Sequence, residues 1–181
     1  MRPDSPRELG VVVQRTDTGP LNDDWRWQPA GWHGDVRRSG DSAGPGITLF
    51  HDDPAAKMAG TATEAGLDID LTVFAGTFLS IAVDLPADAR AGLAPWHQIS
   101  ADLAVNCSGF LRLNLKFGNK TVTRLTAVAA GRGWAGLDLD RAFSDGWLAD
   151  HAWLDVIAED PSPGLISIRL FELRRHPRPA M

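Results

Sequence analysis

Leu67-Asp68-Ile69-Asp70-Leu71-Thr72-Val73, followed after Gly76-Thr77 by Leu79-Ser80-Ile81-Ala82-Val83-Asp84-Leu85, is the stretch that decides the fold. In both halves apolar side chains take every second position, and the residues between them are acidic, hydroxylic or small. Successive side chains of a β-strand leave the backbone on opposite sides, so a repeat of two marks a strand with one face buried. A helix would instead space its apolar residues three and four apart. Leu67, Ile69, Leu71 and Val73 are therefore expected on one buried face, and Leu79, Ile81, Val83 and Leu85 on the next. Gly76-Thr77 between them suits a tight hairpin.

The same alternation runs outward from this stretch. Upstream, Ile47-Thr48-Leu49-Phe50-His51 reads as a short strand ended by Asp52-Asp53-Pro54. Downstream, Ala87 to Leu93 offers one helical turn, and strands resume with Ile99, Ala101, Leu103 and Val105 inward. Asn106-Cys107-Ser108-Gly109 is turn chemistry. Leu111, Leu113, Leu115 and Phe117 then face the core, with Arg112, Asn114 and Lys116 outward. Gly118-Asn119-Lys120 turns into a strand over 121–128, and a further strand runs from Trp134 to Leu139 after Gly131-Arg132-Gly133. Ala152, Leu154, Val156 and Ala158 form a penultimate buried face. Pro161-Ser162-Pro163-Gly164 leads to a closing strand with Ile166, Ile168 and Leu170 inward. Eight or nine short strands at regular spacing, with no long amphipathic helix, predict an all-β antiparallel β-sandwich of jelly-roll type over 46–181. Residues 1–45 are punctuated by Pro3, Pro6, Gly10, Pro20, Pro29 and several later glycines, and are expected to be an irregular N-terminal arm packed on that domain.

Composition narrows the function. A chain of 181 residues suits one domain and buries enough surface to need no staple, and Cys107, its one cysteine, cannot form an intrachain disulfide. The net charge is −5, with no basic stripe before the C-terminal tail, which argues against nucleic acid. No apolar run approaches a leader core or a membrane span, so a soluble cytoplasmic protein without membrane insertion is expected. The chain has no tyrosine, which removes that class of acid–base groups.

Little catalytic chemistry is visible. Gly131-Arg132-Gly133 and Gly40-Asp41-Ser42-Ala43-Gly44 lack the lysine and spacing of a phosphate loop. His33, His51, His97, His151 and His176 are scattered, and one cysteine builds no thiolate zinc site. The sequence is therefore read as non-enzymatic, with no cofactor. Asp23-Asp24, Asp52-Asp53, Asp68/Asp70 and Asp138/Asp140 are oxygen pairs of the kind that hold structural calcium, although solvated acidic faces are the favoured reading.

Two places carry binding chemistry. Arg112, Asn114 and Lys116 share the polar side of one strand. Trp153 and Asp155 lie on the outward side of the penultimate strand, and Arg169 on that of the last. Should these strands be neighbours, they form a face of donors, an amide, a carboxylate and an indole, which suits hydroxyl groups and the C–H face of a sugar ring. Cross-strand charge pairing is the competing reading. Trp25, Trp27 and Trp32 form either a stacking or docking loop or a plug over an open end of the sandwich. The tail Arg174-Arg175-His176-Pro177-Arg178-Pro179 reads as a solvated terminus.

The stretches Asp23-Asp24-Trp25-Arg26-Trp27, Gly46 to Asp52, Gly76 to Pro86, Arg112 to Gly118, Trp153 to Ile157 and Arg174 to Pro179 resemble an alphaproteobacterial domain-of-unknown-function family. More broadly, the pair of closing strands resembles the galactose-binding-like jelly rolls of carbohydrate-binding modules. That resemblance implies a fold and transfers no ligand. Two functions are carried forward, with the oligomeric state open. One is a non-catalytic binding module of jelly-roll type recognising a glycan. The other is a structural or accessory subunit that docks into a larger protein assembly.

Overall fold

The computed structural model describes residues 25–27, 38–56, 58–63, 66–91, 93–139 and 149–177. Its strands are β1 (Trp25–Trp27), β2 (Ser42–Gly44), β3 (Ile47–His51), β4 (Ala59–Thr63), β5 (Gly66–Asp70), β6 (Phe78–Asp84), β7 (His97–Val105), β8 (Gly109–Phe117), β9 (Lys120–Val128), β10 (Gly131–Asp138), β11 (His151–Glu159) and β12 (Leu165–Pro177). One short helix, α1 (Ala87–Ala91), interrupts them.

The strands form two antiparallel sheets. One runs β10-β7-β12-β5-β4, with β1 also paired to β12; the other runs β2-β3-β6-β11-β8-β9. Counted from β5, the first sheet holds the sixth, third, eighth and first strands. The second holds the second, seventh, fourth and fifth. Eight strands so interleaved make a jelly-roll sandwich, and the expected fold class stands. No helix among the described residues is long and apolar enough to cross a membrane.

The alternation read from the sequence becomes the core. Leu67, Ile69 and Leu71 from one sheet meet Leu79, Ile81 and Val83 from the other, all at most 2% exposed. Leu103, Leu111, Leu113, Leu115, Leu154 and Ile168 join them. Inward residues of both layers interdigitate, as packing two sheets about 10 Å apart requires. The β8–β9 hairpin turns through Gly118 at φ +56°, a left-handed conformation that glycine adopts without strain.

Three local expectations change. Gly76-Thr77 closes no hairpin, because β5 and β6 belong to opposite sheets and the connection crosses between them. Val73 leaves the buried face and is 60% exposed. The cause is Asp70, whose Oδ1 accepts from Thr72 N at 2.8 Å and Thr72 Oγ1 at 2.5 Å and turns the chain before Val73. The basic tail is no solvated terminus up to Pro177, since β12 extends that far and pairs with β7 and β1. An irregularity in β12 between Arg169 and Glu172 shifts its phase, so Leu173 and Arg175 point inward, both at 0% exposure. Arg175 Nη1 donates to the Ala89 carbonyl of α1 at 3.2 Å. Within the stretch expected to be irregular, β1 pairs with β12 and β2 with β3.

Leu154 lies at 0% exposure on β11, a central strand flanked by β6 and β8. Leu154→Ala should destabilise the fold by about 2–5 kcal/mol in chemical denaturation, as for other buried leucines. A change near zero would show that the two sheets do not pack there.

Candidate functional site

The pairing of β11 with β8 brings the expected polar face together. Asp155 stands opposite Arg112, Trp153 opposite Asn114, and His151 opposite Lys116. Arg112 Nε and Asn114 Nδ2 each donate to Asp155 Oδ2 at 2.8 Å. Ser80 Oγ, from β6, donates to Asp155 Oδ1 at 3.3 Å. Asn114 Oδ1 in turn accepts from Thr123 Oγ1 of β9 at 3.2 Å. One network thus ties four neighbouring strands.

Asp155 is 2% exposed and Asn114 4%, although both lie on the outer side of their sheet. A carboxylate so buried needs donors on both oxygens, and here it has them. The cost is availability: Asp155 and Asn114 satisfy each other and have little left for a ligand. Arg112 differs. Its side chain is 43% exposed, and with Nε held, Nη1 and Nη2 take no partner among the described residues.

Arg112 lines an open cleft of about 560 Å³ with Thr77, Phe78, Ser80, Ile157, Glu159 and Asp160. The cleft therefore combines a guanidinium fork, two exposed carboxylates and two apolar side chains. Asp160 has φ +42°, the only positive φ outside glycine among the described residues. Such a conformation costs about 1–2 kcal/mol in a residue with a side chain, and strain of this kind gathers at functional sites. It is held by Asp160 N donating to the Thr77 carbonyl at 2.7 Å. Thr77 is held in turn by Asp52, which accepts from Thr77 N at 2.8 Å and Thr77 Oγ1 at 2.6 Å. The Thr77 hydroxyl, above all, holds the Asp52 carboxyl below its ordinary value, with help from the Phe78 and Thr77 amides.

The remaining candidates fall in different places. Trp153 shares the face but stacks on His151, with ring centroids 5.0 Å apart at 27°. His151 Nε2 is 2.9 Å from Asp84 Oδ1, so this aromatic pair is itself anchored. Lys116 is exposed. Arg169 is not on this face, because β11 and β12 lie in opposite sheets. There its Nη2 meets Asp68 Oδ1 at 2.5 Å, while Ser167 Oγ donates to the same oxygen at 2.6 Å. The Ser167 hydroxyl and then Arg169 hold the Asp68 carboxyl below its usual range. Trp25 and Trp27 sit in β1 opposite Arg175 and Leu173, and Trp32 lies outside the described residues.

Asp70 is engaged by Thr72, Asp53 accepts from the Ala55 and Ala75 amides, and Asp138 accepts from Gln98. Asp23, Asp24 and Asp140 lie outside the described residues. Among the described residues no three His, Cys, Asp or Glu come together to hold a metal. Burial pushes the Cys107 thiol up, away from reactivity.

Sequence reasoning passed over Trp134. It is 59% exposed on β10, in the sheet opposite Arg112. The signal was available: Ala135 and Leu137 point inward, so Trp134 and Gly136 share the outer face.

Fold and site define a jelly-roll β-sandwich whose open chemistry lies on sheet faces and in a loop cleft. Residues 4–181 match the family described as a family of unknown function (DUF6478), and the chain belongs to that family. No curated protein matches the sequence. Solved structures similar in chain path include PfGH50B, at 9% identity over 75% of this chain, with a TM-score of 0.47. This chain spans 23% of that one. The family 11 carbohydrate-binding module of the cellulase Lic26A-Cel5E of Clostridium thermocellum is another, at 9% identity over 84% of this chain and 99% of that chain, with a TM-score of 0.44. A third is the Stig cyclase Fisc from Fischerella sp. TAU, at 11% identity over 90% of this chain and 94% of that chain, with a TM-score of 0.48. Their ligands and activities are properties of those proteins.

The lowered value of Asp68 gives a pH dependence whose sign follows from linkage. A carboxyl held below its ordinary 3.8 stabilises the fold fully above that value and ceases to do so as pH falls through its lower folded value. Asp68→Asn should therefore flatten the loss of stability as the pH falls below about 4, read as the shift of the urea midpoint. Equal slopes in variant and parent would remove Asp68 from the acid response.

Proposed function

We propose that this protein is a non-catalytic glycan-binding module that takes its ligand at the Arg112 cleft. The observation that carries the reading is the Arg112 guanidinium, fixed through Nε by the buried Asp155, with both Nη groups unpartnered among the described residues at an open cleft. A sugar hydroxyl both donates and accepts hydrogen bonds. The cleft offers a fork of donors in Arg112 and acceptors in Glu159 and Asp160, with Phe78 and Ile157 for the C–H surface of the ring. Two carboxylates beside the guanidinium disfavour a phosphate or another strong anion. Holding Arg112 in place before binding lowers the entropy lost on association.

A structural or accessory docking role has its own support. Leu125 stands opposite Arg112 in the register and is 57% exposed, and Phe50, on the same outer face, is 43% exposed. A protein partner would cover both, whereas a glycan in the cleft would leave them bare.

Glycan arrays and titration with cell-envelope polysaccharide should give saturable binding and a change in tryptophan fluorescence. Arg112→Lys keeps the charge and removes the fork, and should weaken binding about 10- to 100-fold. Asp160→Gly should raise stability by relieving the positive φ while lowering affinity, a combination that a purely structural Asp160 would not give. Absence of binding across the array, together with a stable hetero-complex in native extract, would replace the glycan reading with docking.

A further inference from the structure

Trp134 and Gly136 form a second surface, on the sheet that does not carry Arg112. A Cβ built on Gly136 would lie 2.5 Å from Trp134 Cη2 and 3.0 Å from both Cδ and Nε2 of Gln98. The far edge of the indole and the Gln98 amide therefore rest on the bare backbone of Gly136. No other residue leaves that space empty. The ring is laid along its own strand and also leans across β7: its centroid is 6.5 Å from that of His176 on β12, at 35°.

Polar groups frame the ring. Gln98 Nε2 donates to Asp138 Oδ1 at 2.9 Å, leaving Asp138 Oδ2 and Gln98 Oε1 without partners among the described residues. His176 Nε2 lies 3.1 Å from Ser100 Oγ, and Ser100, which faces Gly136 in the register, is 1% exposed. The layer around the indole is thus fixed by hydrogen bonds, while the indole itself remains 59% exposed. A scattered apolar side chain on a surface needs no explanation. An indole seated on a glycine, with an amide and a carboxylate braced at its edge, is a built surface.

We propose that Trp134 is a stacking platform for a β-linked hexopyranose chain. The π face of an indole is electronegative and attracts the C–H bonds that line the flat side of a pyranose ring. Asp138 Oδ2 and Gln98 Oε1 stand at its edge as acceptors for ring hydroxyls. The platform lies on an open sheet rather than in a cavity. Near Trp134 the sheet runs β10, β7, β12 and β1, a face about 14 Å wide at about 4.8 Å spacing and longer than one sugar, so a chain fits it better than a terminal residue. Ser167 and Arg169 of β12, Asp68 of β5 and Thr61 of β4 continue the same outer face farther along the strands. This inference shares its ligand class with the glycan reading above but none of its residues.

Calorimetric titration with β-1,4-linked gluco-, manno- and galactohexaose tests it. Trp134→Ala should weaken binding to the preferred oligosaccharide about tenfold or more. Gly136→Val keeps the indole but forces it off the strand, and should give the same loss. Valine favours strands, Gly136 has no positive φ and the groups it displaces are side-chain ends at the surface, so this variant should still fold. Binding lost in both variants and retained in Arg112→Lys supports the platform and overturns the cleft. Binding lost in Arg112→Lys and retained in Trp134→Ala overturns the platform alone. No binding by the parent protein to any of the three overturns the platform, and leaves the cleft to its own array test.

Discussion

Two sheets that each bury one face against the other can be built only from strands whose side chains alternate, and that constraint governs every other feature of this molecule. It places Leu67, Ile69, Leu113, Leu154 and Ile168 inside with almost no exposure. It also places their sequence neighbours outside by necessity, so every polar feature of the outer faces is set by the same register that packs the core. A slip of one residue in β8 would carry Arg112 and Asn114 inward and lose both the core and the polar network.

The exception to the inside–outside division is instructive. Asp155 belongs to the outer face by its position in β11, yet it is as buried as a core residue. Three donors from β6 and β8 make that tolerable. Replacing such an arrangement by apolar groups is often neutral for stability, so a buried charge network is weak grounds for a purely stabilising role. What the network does deliver is position: it holds a guanidinium at a cleft that is also lined by a residue in a left-handed conformation.

The two outer faces carry different chemistry. The face around β11 and β8 holds a charged fork, a paired Trp153–His151 stack and exposed Leu125 and Phe50. The face around β10, β7 and β12 holds the open indole of Trp134 with an amide and a carboxylate near it. Both rest on the same property of a sheet, a rigid array of side chains at fixed spacing.

Local pattern sufficed for the strands and their inward faces, because alternation is a property of neighbouring residues. The β8 polar triplet Arg112, Asn114 and Lys116 was legible for the same reason, and so was the outward position of Asp155. The sequence by itself determined an all-β sandwich and the inward side of its most regularly alternating strands. Only the tertiary structure decided which wet sides meet. It paired β11 with β8 and sent β12 to the opposite sheet, separating Arg169 from Arg112. It turned Gly76-Thr77 into a crossing between sheets, and it shifted the phase of β12 so that Arg175 is buried. It also laid Trp134 over Gly136. The physical reason is common to all of these: strand order and register arise from contacts between residues far apart in the chain, and a period of two carries no record of which strand lies alongside.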